Sequence, residues 1–388
     1  MIHTTFTRLV LKPLLLVTLA VAPALAQQTS VFAGGLKNPY KLAITPGGTL
    51  IVSEAGDGVN TGRISVISSG GARQSLIEGL PSGPSNPDLT LIGPTGIAYR
   101  NRVLYITTGE GDAVRNGSTP GSLVLNPAGV SSPIFAAVLR VRLDADLEGL
   151  QSTFTLTRAQ HQTIADGREV TLTNEQGRTA VIDLLVKFPP VTPDANTVYR
   201  HQDPFALVLD PARTDTLYLI ESGQNAVYRI NTETGRTQVV TRFAPTQNPT
   251  QIGPPVIDAV PTGAIVVDDQ LLVSRLSGFP FIPGFGQVTA VNPATGASSP
   301  WITGLNSAID IAVRSSASGA NQFFVLGFSS NMLSTPPGGG QLWIYDSPAG
   351  RVVTNQLVSP TGMVVDPKSG DIFVAELGPG RITRVQVP

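Results

Sequence analysis

The chain has 388 residues, with 27 acidic against 26 basic and a formal charge of −1. It therefore lacks the positive excess that nucleic acid or an anionic membrane surface would select. It has no cysteine, which excludes disulfides, thiolate metal sites and a cysteine nucleophile. Its 40 glycines and 32 prolines fit a turn-rich, all-β chain with few helices.

Residues 1–26 read as a signal peptide. Arg8 and Lys12 supply the positive start, Leu14 to Ala20 the apolar centre, and Ala24-Leu25-Ala26 a small-x-small cleavage motif before Gln27. The apolar stretch is too short to span a bilayer. Export to the periplasm or the extracellular space is expected, without a membrane span. Losing Arg8 and Lys12 takes the formal charge from −1 to −3.

From Pro39 onward one phrase recurs. A Pro opens a short apolar run, and a dozen or so residues later a second run ends in a polar residue or Gly. The copies begin at Pro39, Pro94, Pro204, Pro261 and Pro360, with a worn copy at Ala308 to Ala312. Six copies make a repeat architecture. The runs are rich in Val, Ile, Leu and Tyr and bounded by turn residues, so they are strands. A third strand follows each copy: Arg63 to Ile67, Val138 to Leu143, Ala226 to Ile230, Gln287 to Val291, Gln341 to Tyr345 and Arg381 to Val385. A fourth is visible at Leu76 to Leu80, Trp301 to Leu305 and Val31 to Leu36. Four antiparallel strands per repeat make a propeller blade. The expected fold is a six-bladed β-propeller of the NHL/TolB-like type over residues 27–388. Val31 to Leu36 has no blade of its own, and the last copy lacks a fourth strand. Donating the first to the second closes the ring and leaves no edge at the seam.

Blade two is longer than the rest. Residues 109–135 read as a long loop, and about 144–200 as an insertion. Thr157-Arg158-Ala159-Gln160 is a capping box, and Gly167 can end the helix that follows. Arg168 to Thr173 and Arg178 to Leu185 form a hairpin pattern, with Val181 to Val186 a candidate outer strand of blade two. A seventh, degenerate blade is the competing reading.

In a propeller the start of strand one and the end of strand two share one face, around the channel mouth. The strand-two ends carry Glu54, Thr108, Glu221, Arg275, Gly327 and Glu376. The third residues of the phrase are small, except Lys41 and Asp310. One reading is a polar cup for a small ligand, with a divalent cation such as Ca²⁺ held by Glu54, Glu376 and Asp310. The other is that the charges pair off, Glu221 with Arg275, and Glu376 between Lys41 and Asp310. His201 stands beside Gln202-Asp203-Pro204, a pattern commoner in a rim turn than in a catalytic base. Leu276 to Gly284 (LSGFPFIPG) follows strand two of blade four, so Phe279 and Phe281 either plug the mouth or wall a site for an aromatic ligand.

This loop, with Asp258 to Thr262 before it and Asn306 to Ala312 after it, resembles the ScyD/ScyE family of exported bacterial β-propellers. The order of Glu54-Ala55-Gly56, the Gly-Phe-Pro-Phe-x-Pro-Gly loop and Pro360-Thr361-Gly362 also matches. The resemblance implies export and the propeller fold. Two positions depart from the family pattern, Arg275 and Gly327, where the family usually carries acidic residues.

Two function classes stand open from the sequence. One is a binding or scaffold protein, taken as a monomer, that holds a small molecule or a protein partner at the channel mouth. Its candidate ligand-binding residues are Lys41, Glu54, Asp203, Glu221, Arg275, Phe279, Phe281, Asp310 and Glu376. The other is a propeller enzyme of the lactonase or oxidative-coupling kind, as in scytonemin-like secondary metabolism.

Overall fold

A computed structural model describes residues 28–85, 90–118, 122–189, 191–192, 200–315, 320–346 and 349–387. The expected signal peptide, residues 1–26, lies outside the described residues. Six antiparallel sheets form a ring, each inner strand packing on the next and the sixth on the first. The chain is a six-bladed β-propeller.

The inner strands are Pro39–Ile44, Pro94–Arg100, Pro204–Leu209, Pro261–Val267, Ala308–Ser315 and Pro360–Val365. The sixth blade holds Pro360–Val365, Ile372–Glu376 and Arg381–Gln386, and its outer strand is Gln28–Ala33 from the other end of the chain. The closure is the one read from the sequence, with the strand set three residues earlier than Val31 to Leu36. Two outer strands escaped the sequence pattern, Thr237–Arg242 in blade three and Arg351–Leu357 in blade five. Neither ends in the Gly-Leu that marks the outer strands of blades one, four and six (Leu80, Leu305 and Leu36), so the shared ending does not reveal them.

The inner ring alternates. Blades two, four and six begin Pro-Thr-Gly (94–96, 261–263, 360–362), and blades one, three and five begin Pro-Tyr-Lys, Pro-Phe-Ala and Ala-Ile-Asp. Each threonine hydroxyl donates to a carbonyl at the start of the next blade: Thr95 to Pro204 (2.8 Å), Thr262 to Ala308 (3.0 Å) and Thr361 to Pro39 (2.9 Å). Each glycine then lets the strands touch. A Cβ on Gly96 would lie 2.7 Å from Ala206 Cα, and one on Gly362 would lie 2.6 Å from Tyr40 O. The alternation gives the propeller a pseudo-threefold waist locked by hydroxyl-to-carbonyl bonds.

Among the described residues blade two holds no seventh blade. Thr179–Lys187 is its outer strand, and Val170–Thr173 adds a fifth. The residues between serve blade one. Phe154–Thr155 pairs in parallel with blade one's outer strand Arg73–Leu80. The helix Arg158–Ala165 buries His161, whose Nε2 lies 2.7 Å from Gly79 O in blade one and whose Nδ1 lies 3.0 Å from Ser132 Oγ in blade two. Burial pushes this imidazole's pKa down. The neutral ring, donating from Nε2 and accepting at Nδ1, therefore staples the two blades.

No helix among the described residues is long and apolar enough to cross a membrane.

Candidate functional site

The register places the predicted polar residues at one end of the ring, here called the upper face. Pro39 pairs with Glu54, Pro204 with Glu221, Pro261 with Arg275 and Pro360 with Glu376. Asp310 stands two residues after Ala308, which pairs with Gly327. These residues share a height but do not gather into one cup. A carboxylate at the end of strand two points into its own blade, where it accepts N–H bonds from the chain that leads to strand one.

Glu54 and Glu376 show this clasp fully neutralised. Glu54 is completely buried, accepts the Lys37 N–H and lies 3.1 Å from Arg73 and 4.0 Å from Arg63. Glu376 is equally buried, accepts the Val358 N–H and lies 2.9 Å from Arg381. In both blades the residue facing the glutamate on strand three is an arginine, Arg63 or Arg381. Such clasps hold the blades and offer nothing to a ligand.

Lys41 and Asp310 meet across the channel at 3.2 Å, both buried. Lys41 Nζ also donates to Ile309 O (3.0 Å) and lies 5.3 Å from the Phe205 ring centroid. Asp310 accepts from the Ile311 and Met363 N–H groups (3.0 Å each). Burial lowers the lysine's pKa and raises the aspartate's, outweighing in each case the attraction of the partner. Above the pair, Tyr40 packs edge-on to Phe205 at 6.1 Å. Phe205, Leu276 and Phe328 pack on one cluster with Ile309. The channel is thus sealed by an ion pair under an apolar cap. Glu376 does not sit between Lys41 and Asp310, as one reading expected, because Arg381 holds it in its own blade.

Blade three differs. Glu221 is completely buried and accepts the N–H groups of Asp203 and Gln224, but the residue facing it on strand three is Ala226. Arg275 does not supply the missing charge. Its guanidinium lies 4.8 Å from the Phe243 ring and donates to Thr289 Oγ1 (3.3 Å), and burial lowers its pKa to about 10. Among the described residues no arginine makes a salt bridge with Glu221, and burial and the neighbouring Asp203 push it up to about 8 against the weaker pull of Arg242 on the outer strand. Asp203 is pushed up to about 7 by burial and then by Glu110. Its Oδ1 is buried without a hydrogen-bond partner. The space beside that oxygen is kept by Gly109, where a Cβ would lie 2.8 Å away. His201 Nε2 lies 3.2 Å from Glu110 Oε2, while Ser85 Oγ donates to Glu110 Oε1 (3.0 Å). Burial depresses the His201 pKa against the pull of Asp203 and Asp258.

Glu110, His201, Asp203 and Glu221 therefore form a cluster at the junction of blades two and three. Near neutral pH it contains groups poised on both sides of a proton transfer. Sequence reasoning singled out Asp203 and Glu221, rated His201 a rim residue and missed Glu110, which lay in a Gly- and Ser-rich loop. A signal was present in the repeat itself, since Glu221 lacks the strand-three arginine that follows Glu54 and Glu376.

Phe279 and Phe281 pack edge-on at 5.9 Å, each partly buried. Their loop is pinned to the preceding segment, Gly278 N donating to Asp258 O (2.9 Å), and a Cβ on Gly253 would lie 2.6 Å from the Phe279 ring. Leu276, not either phenylalanine, joins the cap over the channel. Asp258 ties the loop to the acid cluster, because its carboxylate accepts from Arg200 (3.0 Å), the neighbour of His201.

Among the described residues no group of three or more His, Asp or Glu side chains could hold a metal ion. The suggested cation ligands Glu54, Glu376 and Asp310 lie in separate places, each with its own basic partner.

No family model matches the chain, and no curated protein matches it by sequence. Solved structures do match in fold. The PQQ-bound aldose sugar dehydrogenase of Streptomyces coelicolor is 16% identical with a TM-score of 0.51, over 95% of this chain and 100% of that one. The apo soluble aldose sugar dehydrogenase of Escherichia coli is 11% identical with a TM-score of 0.52, over 93% and 99%. A protein of unknown function from Bacteroides thetaiotaomicron is 11% identical with a TM-score of 0.50, over 94% and 76%. At these identities the likeness carries the fold alone.

Proposed function

We propose that this chain is an exported propeller of the ScyD/ScyE kind that binds a small molecule at its upper face, between blades two and four. The acid cluster at Glu110, His201, Asp203 and Glu221 is its polar half, and the Phe279/Phe281 loop its aromatic flank. One observation supports this above the others. Glu54 and Glu376 are neutralised by arginine, whereas Glu221 in the same repeat position is not, and Asp203 beside it keeps a buried oxygen without a partner. A carboxyl held near pH 7 both donates and accepts, so it suits ligands with phenol, carbonyl or amide groups. The aromatic loop suits a ligand with a flat body.

A second reading uses the same residues as an acid–base enzyme of the lactonase kind. The contact of an imidazole with carboxyls raised toward neutrality favours it. Both readings are tested on protein isolated from the periplasm, which is expected to begin at Gln27. Calorimetric titration with indole and p-cresol, and hydrolysis of dihydrocoumarin, are compared between the natural protein and Asp203→Asn. At least a tenfold loss of aromatic affinity in the variant, with the fold intact, supports binding. Hydrolysis that disappears in the variant selects the enzyme. Equal behaviour of the two proteins removes the cluster from the site.

A further inference from the structure

Below the Lys41–Asp310 pair the channel is hollow. A cavity of about 330 Å³ begins at these two side chains and runs to Ile44, Leu209, Val313 and Val365 at the lower ends of the inner strands. All six blades contribute to it, and apart from Lys41 and Asp310 every lining residue is apolar. No residue above the pair lines it, so the cavity reaches toward the lower face, away from the acid cluster.

We propose that this cavity is a second binding site, for an uncharged, largely apolar small molecule of roughly 15 non-hydrogen atoms that enters from the lower face. The two charged residues define the ligand by exclusion. Lys41 already donates to Asp310 and Ile309 O and faces the Phe205 ring. Asp310 already accepts from Lys41 and two backbone N–H groups. The pair is neutral overall and its hydrogen bonds are made within the protein. A fatty acid or an amine entering the cavity would lose its hydration and find no free counter-charge. A neutral molecule loses little and covers aliphatic walls that otherwise face an empty or wet space. The same pair, under its cap of Tyr40 and Phe205, separates this site from the upper one, so the inference stands whether or not the acid cluster binds anything.

The test uses the whole mature protein and the neutral fluorophore N-phenyl-1-naphthylamine, with dodecanol and dodecanoate as competitors. The expected result is saturable fluorescence at one site, displaced at least tenfold more effectively by dodecanol than by dodecanoate. Val208 and Val364 line opposite sides of the cavity and are partly exposed. Val208→Phe/Val364→Phe should fill it and weaken the probe at least tenfold, while Asp203→Asn in the other site leaves probe binding within twofold. Should the double variant fail to fold, Val364→Phe alone is measured, with at least a threefold loss expected. Absence of saturable binding, equal displacement by the charged acid, or undiminished binding in a folded filled variant would each overturn the proposal.

Discussion

The ends of strand two in blades six and three occupy the same place in the repeat and do opposite things. In blade six, Glu376 accepts the Val358 N–H and faces Arg381 at 2.9 Å. In blade three, Glu221 accepts the Asp203 N–H and faces Ala226. Both glutamates are completely buried. The backbone bond recurs and is architectural. The arginine is absent from one blade only of the three that carry the glutamate, and there Asp203, Glu110 and His201 crowd in. A propeller thus shows where its scaffold ends and a site begins by where a repeated neutralisation lapses.

Removing the charge from a clasp should have the largest effect. Glu54→Gln or Glu376→Gln breaks a buried carboxylate network of a backbone N–H, an arginine and a strand-three hydroxyl, and should cost roughly 3 kcal/mol of stability in urea unfolding. Glu221→Gln should cost under about 1 kcal/mol, since it breaks no salt bridge and Arg242 acts on it only at a distance. Equal losses at the three positions would erase the distinction between the blades.

A smaller effect should follow from copying blade three into blade six. Arg381→Ala strips the cation from Glu376, and because the arginine is about one-third exposed the direct loss should be about 1 kcal/mol. The more telling change is in pH dependence. A buried carboxyl whose pKa rises above its unfolded value holds its proton more tightly when folded, so its contribution is fully present below the unfolded pKa. It is lost as pH rises toward the folded one. Thermal melts of Arg381→Ala should therefore decline from pH 5 to pH 8 relative to the natural protein. Parallel melting curves over that range would show that Arg381 does not set the charge of Glu376.

Much of the fold was legible because the repeat is strong. Five prolines and a worn sixth copy located the inner strands, and the orphan strand at the N-terminal end located the seam. The outer strands of blades three and five were not legible, since neither carries the Gly-Leu ending that marked those of blades one, four and six. The site was half legible. Matching positions across blades found Glu221 and Asp203 at the correct height, because β register is a one-dimensional property. Which way those side chains turn is set by packing between blades, so the expected cup became two clasps, a channel lock and one cluster. Glu110 lay beyond reach because a long loop brings it to His201 across 91 positions of sequence.

The most direct measurement is a carbon-13 carboxyl NMR titration of the protein produced from Gln27 onward, with Asp203→Asn and Glu221→Gln providing the assignments. The expected result is two carboxyls titrating far above the ordinary range, Asp203 at about 7 and Glu221 at about 8. If every carboxyl in the protein instead titrates below about 5, the cluster is neutralised like the clasps and blade three holds no distinct site.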